Sequence, residues 1–223
     1  VQYQKIESIG IIANRSISSF VSIIASLAAG IPYVPIHYKY PLKRQISILE
    51  RAECSVLVLD ETNASVMEKL LPKITKSVFI LWIGSENIDK NFKIPHWHRL
   101  VSVNATAGGE PETSDTRAAC LLFTSGSTGE PKGSRINHSN IISYVNSIQN
   151  IYKPNETDRF SQIFDQTFDL SLHDMFVAWS TGASLFCIPD NERHAPGRFI
   201  KKHSLTFWFS TPSTIALMQS AKL

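Results

Sequence analysis

Three apolar runs in this chain never alternate with polar residues: Ser55 to Leu59 (SVLVL), Ser77 to Ile83 (SVFILWI) and Ala118 to Phe123 (AACLLF). A strand with one wet face shows a polar side chain at every second position, so these segments demand cover on both faces, as in a parallel sheet sandwiched by helices. Patterns of helical period fall between them. Ile9 to Ala13 reads as a strand, Ser16 to Ala29 as a helix and Tyr33 to Ile36 as a short strand. Pro41 to Glu53 reads as a helix with proline at its first position, and Thr62 to Leu71 as another. The expectation is an α/β fold of open, mostly parallel sheets flanked by helices, with right-handed crossovers. With 223 residues, 43% of them hydrophobic, the chain can bury a large core.

Between Asn104 and Arg117 the sequence NATAGGEPETSDTR loses its apolar character. This predicts a first α/β block over residues 1–104, a linker loop over 105–117 and a second block over 118–223. In the second block, helices are expected from His138 to Tyr152, Ser171 to Trp179, Gly197 to Lys202 and onward from Pro212. Strands are expected at Arg159 to Phe164, Ser184 to Ile188 and Leu205 to Phe209. Ser16 to Ile36 carries no charge, but Gly30, Pro32 and Pro35 interrupt it and the helical part is too short to cross a bilayer. Its apolar positions Ile17, Phe20, Val21, Ile24, Leu27 and Ala28 fall on one face, so a buried helix is expected, with Ser16 as N-cap and Gly30 just past its end.

The strand ending at Phe123 empties into FTSGSTGEPKG, residues Phe123 to Gly133. Glycines let the backbone approach a ligand closely, and successive N–H groups and hydroxyls converge on one centre. Such a loop suits phosphate oxygens, with Lys132 as a nearby cation; the plain alternative is a flexible Ser/Gly surface linker. Ligands of open parallel sheets bind beyond the carboxyl ends of strands, where this loop sits. Its spacing is not that of G-x-x-x-x-G-K-S/T, G-x-G-x-x-G or the nucleophile elbow G-x-S-x-G.

The segment Thr124-Ser125-Gly126-Ser127-Thr128-Gly129-Glu130-Pro131-Lys132-Gly133 resembles, position for position, the phosphate loop of the adenylate-forming (AMP-binding) superfamily. Ala28-Ala29-Gly30-Ile31-Pro32-Tyr33-Val34-Pro35-Ile36, followed by Tyr40-Pro41, is similar to a second segment of its amino-acid adenylation domains. The resemblance implies that Thr124, Ser125, Gly126, Ser127, Thr128, Gly129 and Lys132 hold ATP phosphates. It also implies that the chain corresponds to part of the larger N-terminal subdomain.

Phe168-Asp169-Leu170-Ser171 is similar to the motif whose aspartate pairs with the substrate ammonium in amino-acid adenylation domains. Read without the resemblance, Asp169 is an N-cap of the following helix. A carboxylate at the head of an apolar helix is costly to bury unless paired, and an ammonium is a natural partner. Asp165, four residues earlier, is a decoy with Thr167 where the serine should stand. The resemblance puts Leu170, His173 and Phe209 along the side-chain pocket. His173 either hydrogen-bonds a substrate or faces solvent on its helix, and Phe209 either walls the pocket or packs in the core.

The implied parent enzyme is a ligase that uses ATP and Mg2+ to form an aminoacyl-adenylate and then loads a phosphopantetheine carrier protein. D-alanine:carrier-protein ligases and nonribosomal peptide synthetase adenylation domains are the nearest types by wording. The family's Tyr-Gly-x-Thr-Glu segment, its ribose-binding aspartate and its C-terminal lysine are not in this sequence, which predicts a fragment inactive alone. Competing readings are an acyl-CoA synthetase relative, in which Asp169 only caps, and a non-catalytic nucleotide-binding or scaffold protein.

A net charge of +3, with no basic run longer than Lys43-Arg44 or Lys201-Lys202, argues against a nucleic-acid partner. Cys54, Cys120 and Cys187, odd in number and each in or beside an apolar segment, are expected as free thiols in a reducing, cytoplasmic setting. His96 and His98 are too sparse a pair to predict metal. The triplets at Asn14 and Asn155 would matter as glycosylation acceptors only in a secreted chain.

Overall fold

The structure, a computed structural model, describes residues 6–84, 117–125, 130–193 and 195–220. It divides into two compact units, Val1–His138 and Ser139–Leu223. The first holds β1 (Ser8–Ala13), α1 (Ile17–Ala28), β2 (Tyr33–His37), α2 (Leu42–Arg51), β3 (Cys54–Asp60), α3 (Ala64–Leu70), β4 (Phe79–Ile83), β5 (Ala118–Ser125) and β6 (Pro131–Asn137). Its six-stranded sheet has the order β4-β3-β1-β2-β5-β6. All pairings are parallel except β5 with β6.

Consecutive residues are buried along the inner strands: Ile11 is 1%, Ile12 2% and Ala13 3% exposed. Neighbours in a strand point to opposite faces, so both faces of the sheet are covered at its inner strands; at the edge strand β4, Phe79 is 38% exposed, and the run Ser77 to Ile83 lacks the two-sided cover its apolar pattern predicts. Because β5 and β6 pair into this sheet, the units divide after His138 and not within the polar stretch 105–117, most of which lies outside the described residues. Arg117, at the end of that stretch, directly precedes β5.

Helix α1 corrects an expectation. Ser16 caps it by accepting the Ser19 amide at 3.1 Å, and Gly30 follows with φ +66°. Yet Ile17, Val21 and Ile24 are 83%, 55% and 48% exposed, while Ser19, Ser22, Ile23 and Ser26 turn inward. Small side chains let the helix lie close, and their hydroxyls are satisfied locally, Ser19 on Ser16 O, Ser22 on Ser18 O and Ser26 on Ile31 O. Helix α2 starts one residue later than expected, with Pro41 as N-cap.

The second unit holds α4 (His138–Tyr152), whose first residue belongs to the first unit, then β7 (Arg159–Gln162), α5 (Leu170–Thr181), β8 (Ser184–Cys187), α6 (Pro196–His203) and α7 (Pro212–Ser220). Strands β7 and β8 pair in parallel. The strand expected over Leu205 to Phe209 reduces to a single bridge between Phe160 and Phe207. Val145, Phe160, Val177, Ala178 and Ala183 form the core of this unit.

Candidate functional site

Strands β5 and β6 carry the two arms of the glycine-rich loop. Thr124 and Ser125 continue β5 beyond the predicted end at Phe123, and Pro131 to Asn137 form an edge strand instead of loop. Residues 132 to 135 are exposed, as an edge allows, and Pro131 starts the strand, where its missing N–H is tolerated. Thr124 stands opposite Lys132 and Ser125 opposite Pro131. Directly opposed residues share a face, so the Thr124 hydroxyl and the Lys132 ammonium project together, both exposed. Gly126, Ser127, Thr128 and Gly129 lie outside the described residues.

Gly133 faces Phe123 across the ladder. A Cβ at position 133 would stand 3.1 Å from the Phe123 ring, so the glycine is a packing requirement of the hairpin. Beside it, Glu130 pairs with Arg51 of α2 at 2.9 Å. Both side chains are about half exposed or more, so the pair orients the loop edge and contributes little stability.

The second group of residues belongs to the second unit. Asp169 accepts the Leu170 amide at 2.9 Å and is exposed, so it is a helix cap that keeps its carboxylate open to solvent, not the buried charge the sequence suggested. Leu170 is half-buried. Four residues after Asp169 and one turn into α5, His173 is 8% exposed and does not face solvent. Its Nδ1 lies 2.9 Å from the Tyr144 hydroxyl, and Phe209 lies against the ring at 4.1 Å between centroids, tilted 32°. Phe209 also meets Phe164 edge-on at 5.6 Å. Burial pushes His173 down to about 4, so the ring is neutral at pH 7.

Asp165, the decoy, is bonded to Arg193 at 2.8 Å, with Asp190 at 3.4 Å from the same guanidinium. Its charge is answered within the protein, whereas no described cation pairs with Asp169. Asp174 follows His173 and is 1% exposed with no hydrogen bond of ordinary geometry to either oxygen. Burial pushes it up to about 9, against a smaller opposing effect of the Ile163 amide, so it is a neutral acid at pH 7. Among the described residues no group of three His, Cys, Asp or Glu could hold a metal ion.

Tyr144, Asp174 and Arg193 escaped the reading of the sequence. Asp174 left a trace, a lone charge inside an otherwise apolar helix; nothing in the pattern of α4 marks Tyr144. All three cysteines are free thiols, and burial pushes Cys54 and Cys120 up to about 12.

A family profile described as AMP-binding enzyme matches residues 1–223. An L-proline--[L-prolyl-carrier protein] ligase of Streptomyces coelicolor is 30% identical over 90% of this chain and 38% of its own length. Tyrocidine synthase 1 of Brevibacillus parabrevis is 29% identical over 83% of the chain and 16% of its own. The solved structure of the Vibrio cholerae adenylation domain AlmE in complex with glycyl-adenosine-5'-phosphate superposes with a TM-score of 0.87 at 26% identity. It matches 97% of this chain, which spans 42% of that one.

Proposed function

The chain belongs to the AMP-binding enzyme family, and from that premise we propose that it serves ATP-dependent activation of an amino acid. The substrate carboxylate oxygen attacks the α-phosphorus of ATP; the bond to the β,γ-unit breaks, and aminoacyl-adenylate and pyrophosphate form. A phosphopantetheine thiol of a carrier protein then attacks the acyl carbon and releases AMP. The curated relatives above are carrier-protein ligase and peptide-synthetase chains, which supports the carrier protein as acceptor.

Electrostatic stabilisation of phosphate charge is the main demand of the first step. Lys132 and Thr124 offer an ammonium and a hydroxyl on one face, and Ser125 with residues 126 to 129 would add donors around the leaving pyrophosphate. Magnesium would arrive as the counter-ion of ATP, since the described residues provide no cluster to cage it. Asp169 would pair with the substrate ammonium, and Leu170, His173 and Phe209 would line its side chain.

The observation that carries this reading is Asp169: exposed, at the head of α5, its charge answered by no described cation while that of Asp165 is spent on Arg193. Its bond to the Leu170 amide favours a second reading, in which Asp169 only caps and the substrate is a carboxylic acid without an ammonium. Amino-acid-dependent ATP–pyrophosphate exchange by the parent enzyme across a panel of L- and D-amino acids tests the first. Exchange with none of them defeats it, and exchange that survives Asp169→Ala undiminished favours the second. The free thiols Cys54, Cys120 and Cys187, the first two buried, support a cytoplasmic setting.

A further inference from the structure

The contact between α4 and α5 has a consequence for which amino acid is chosen. The Tyr144 hydroxyl is the partner of His173 Nδ1, and the ring is held on its flat side by Phe209. Nε2 makes no hydrogen bond to a described residue. A neutral imidazole has one donor and one acceptor nitrogen, and the partner of one decides the role of the other. We infer that Tyr144 is a positioning residue that donates its hydroxyl proton to His173 Nδ1, fixing Nε2–H as a donor aimed at an acceptor oxygen on the substrate side chain.

This rests on the reading of Asp169 and His173 as one amino-acid pocket. Three observations are compatible with this direction of the bond: both groups are neutral, and the ring is held in place. Partial burial, with the nearby Asp174 and Tyr152 adding to it, pushes Tyr144 above its ordinary range, so its hydroxyl keeps its proton. His173, held down by burial, has a free lone pair to accept that proton. Phe209 and Tyr144 meet the ring from its face and its edge, the latter at 5.9 Å and 71°, which leaves the imidazole little room to flip and exchange its nitrogens. A neutral His173 one turn from Asp169 also avoids repelling the substrate ammonium, which a charged histidine would do.

The substrate class that fits is a neutral amino acid whose side chain carries a hydrogen-bond-accepting oxygen, a carboxamide or hydroxyl. A buried donor left without its acceptor is penalised, so a similar-sized hydrocarbon side chain is rejected. Asparagine against leucine and threonine against valine are the informative pairs, because shape is nearly constant within each.

Two measurements test this. Long-range 1H–15N correlation on the 223-residue chain reads the tautomer directly: His173 should show an acceptor-type Nδ1 and a protonated Nε2, and Tyr144→Phe should mix the two forms. A protonated Nδ1 in the unsubstituted chain overturns the inference whatever the activity. In ATP–pyrophosphate exchange by the parent enzyme, Tyr144→Phe should shrink the preference for the oxygen-bearing member of each pair by about tenfold, mainly through KM. His173→Gln, whose amide donates without help from Tyr144, should keep the preference and be insensitive to a further Tyr144→Phe. Exchange that proceeds with selectivity unmoved by Tyr144→Phe defeats the inference while leaving amino-acid activation standing. Exchange with no amino acid defeats the activation reading instead, and the tautomer then decides only how Tyr144 holds His173.

Discussion

Asp165 and Arg193 form an ion pair at 2.8 Å across the second unit, each side chain about one quarter exposed. Two Phe-Asp pairs four residues apart are thereby told apart by their partners. Asp165→Asn should cost about 1 kcal/mol in chemical denaturation, because a partly buried guanidinium loses the nearer of its two carboxylate partners. Asp169→Asn preserves a capping oxygen and should change stability by less than about 0.5 kcal/mol while removing amino-acid-dependent exchange. Equal stability losses at the two sites would undo this division of roles.

The hairpin behind the glycine-rich loop should be sensitive to a single methyl group. Gly133→Ala puts a Cβ 3.1 Å from the Phe123 ring, and Gly133→Val adds two more carbons. Thermal unfolding should register about 1 kcal/mol for alanine and up to about 3 kcal/mol for valine. Phe123→Leu should recover part of the valine loss, which an unrelated effect of valine would not allow.

Lys132 is exposed opposite Thr124 and free to meet an anion from the nucleotide. Lys132→Ala should weaken ATP binding about tenfold or more, with folding stability nearly unchanged, since one charge-assisted hydrogen bond is lost. Isothermal titration at two salt concentrations would check it. Affinity unaltered by the substitution at both would remove Lys132 from the phosphate site.

Asp60, 6% exposed at the end of β3, accepts from Ser16 Oγ at 2.6 Å, the Thr62 amide at 3.1 Å, Asn63 Nδ2 at 2.9 Å and the Thr62 hydroxyl. Asp60→Ala leaves these donors without their acceptor and should cost about 3 kcal/mol, with Asn at this position costing less. Urea unfolding that matches the original chain would contradict the network.

Stability should fall as pH rises from about 6.5 to about 9. Asp174 holds its proton in the folded state to about 9, against an ordinary 3.8, so its contribution is complete below 3.8 and lost on the way to 9. His173 runs the other way: its folded value of about 4 lies below the ordinary 6.5, so its contribution grows between those values and is then constant. The two oppose each other at acid pH, and only the Asp174 decline continues above 6.5, with a slope on the order of 1 kcal/mol per pH unit. Asp174→Asn, neutral at every pH, should flatten the curve between pH 7 and 9. A decline that persists in this variant would assign it to another group.

The parallel sheet was legible without coordinates because burial of strands leaves unbroken apolar runs, and β3, β4 and β5 lie where those runs stand. The end of β5 was nearly legible, because the apolar run stops at Phe123 and the strand continues only through Thr124 and Ser125. Strand β6 was not, because an exposed edge strand such as Pro131 to Asn137 needs no apolar pattern; the ladder to β5 makes it a strand. The inward face of α1 was misjudged for a related reason. Hydrophobicity favours Ile17, Val21 and Ile24, but close helix–sheet packing favours small side chains whose hydroxyls bond their own backbone.

What the chain's order of residues determines by itself is local and periodic: where most of the strands and helices lie and where α1 is capped. The meeting of Tyr144 with His173, 29 residues apart, and of His173 with Phe209 has no local signature. Only the packing of α4, α5 and the segment before α7 brings them together, because side-chain contacts between elements depend on how helices face one another and not on the pattern within any one of them.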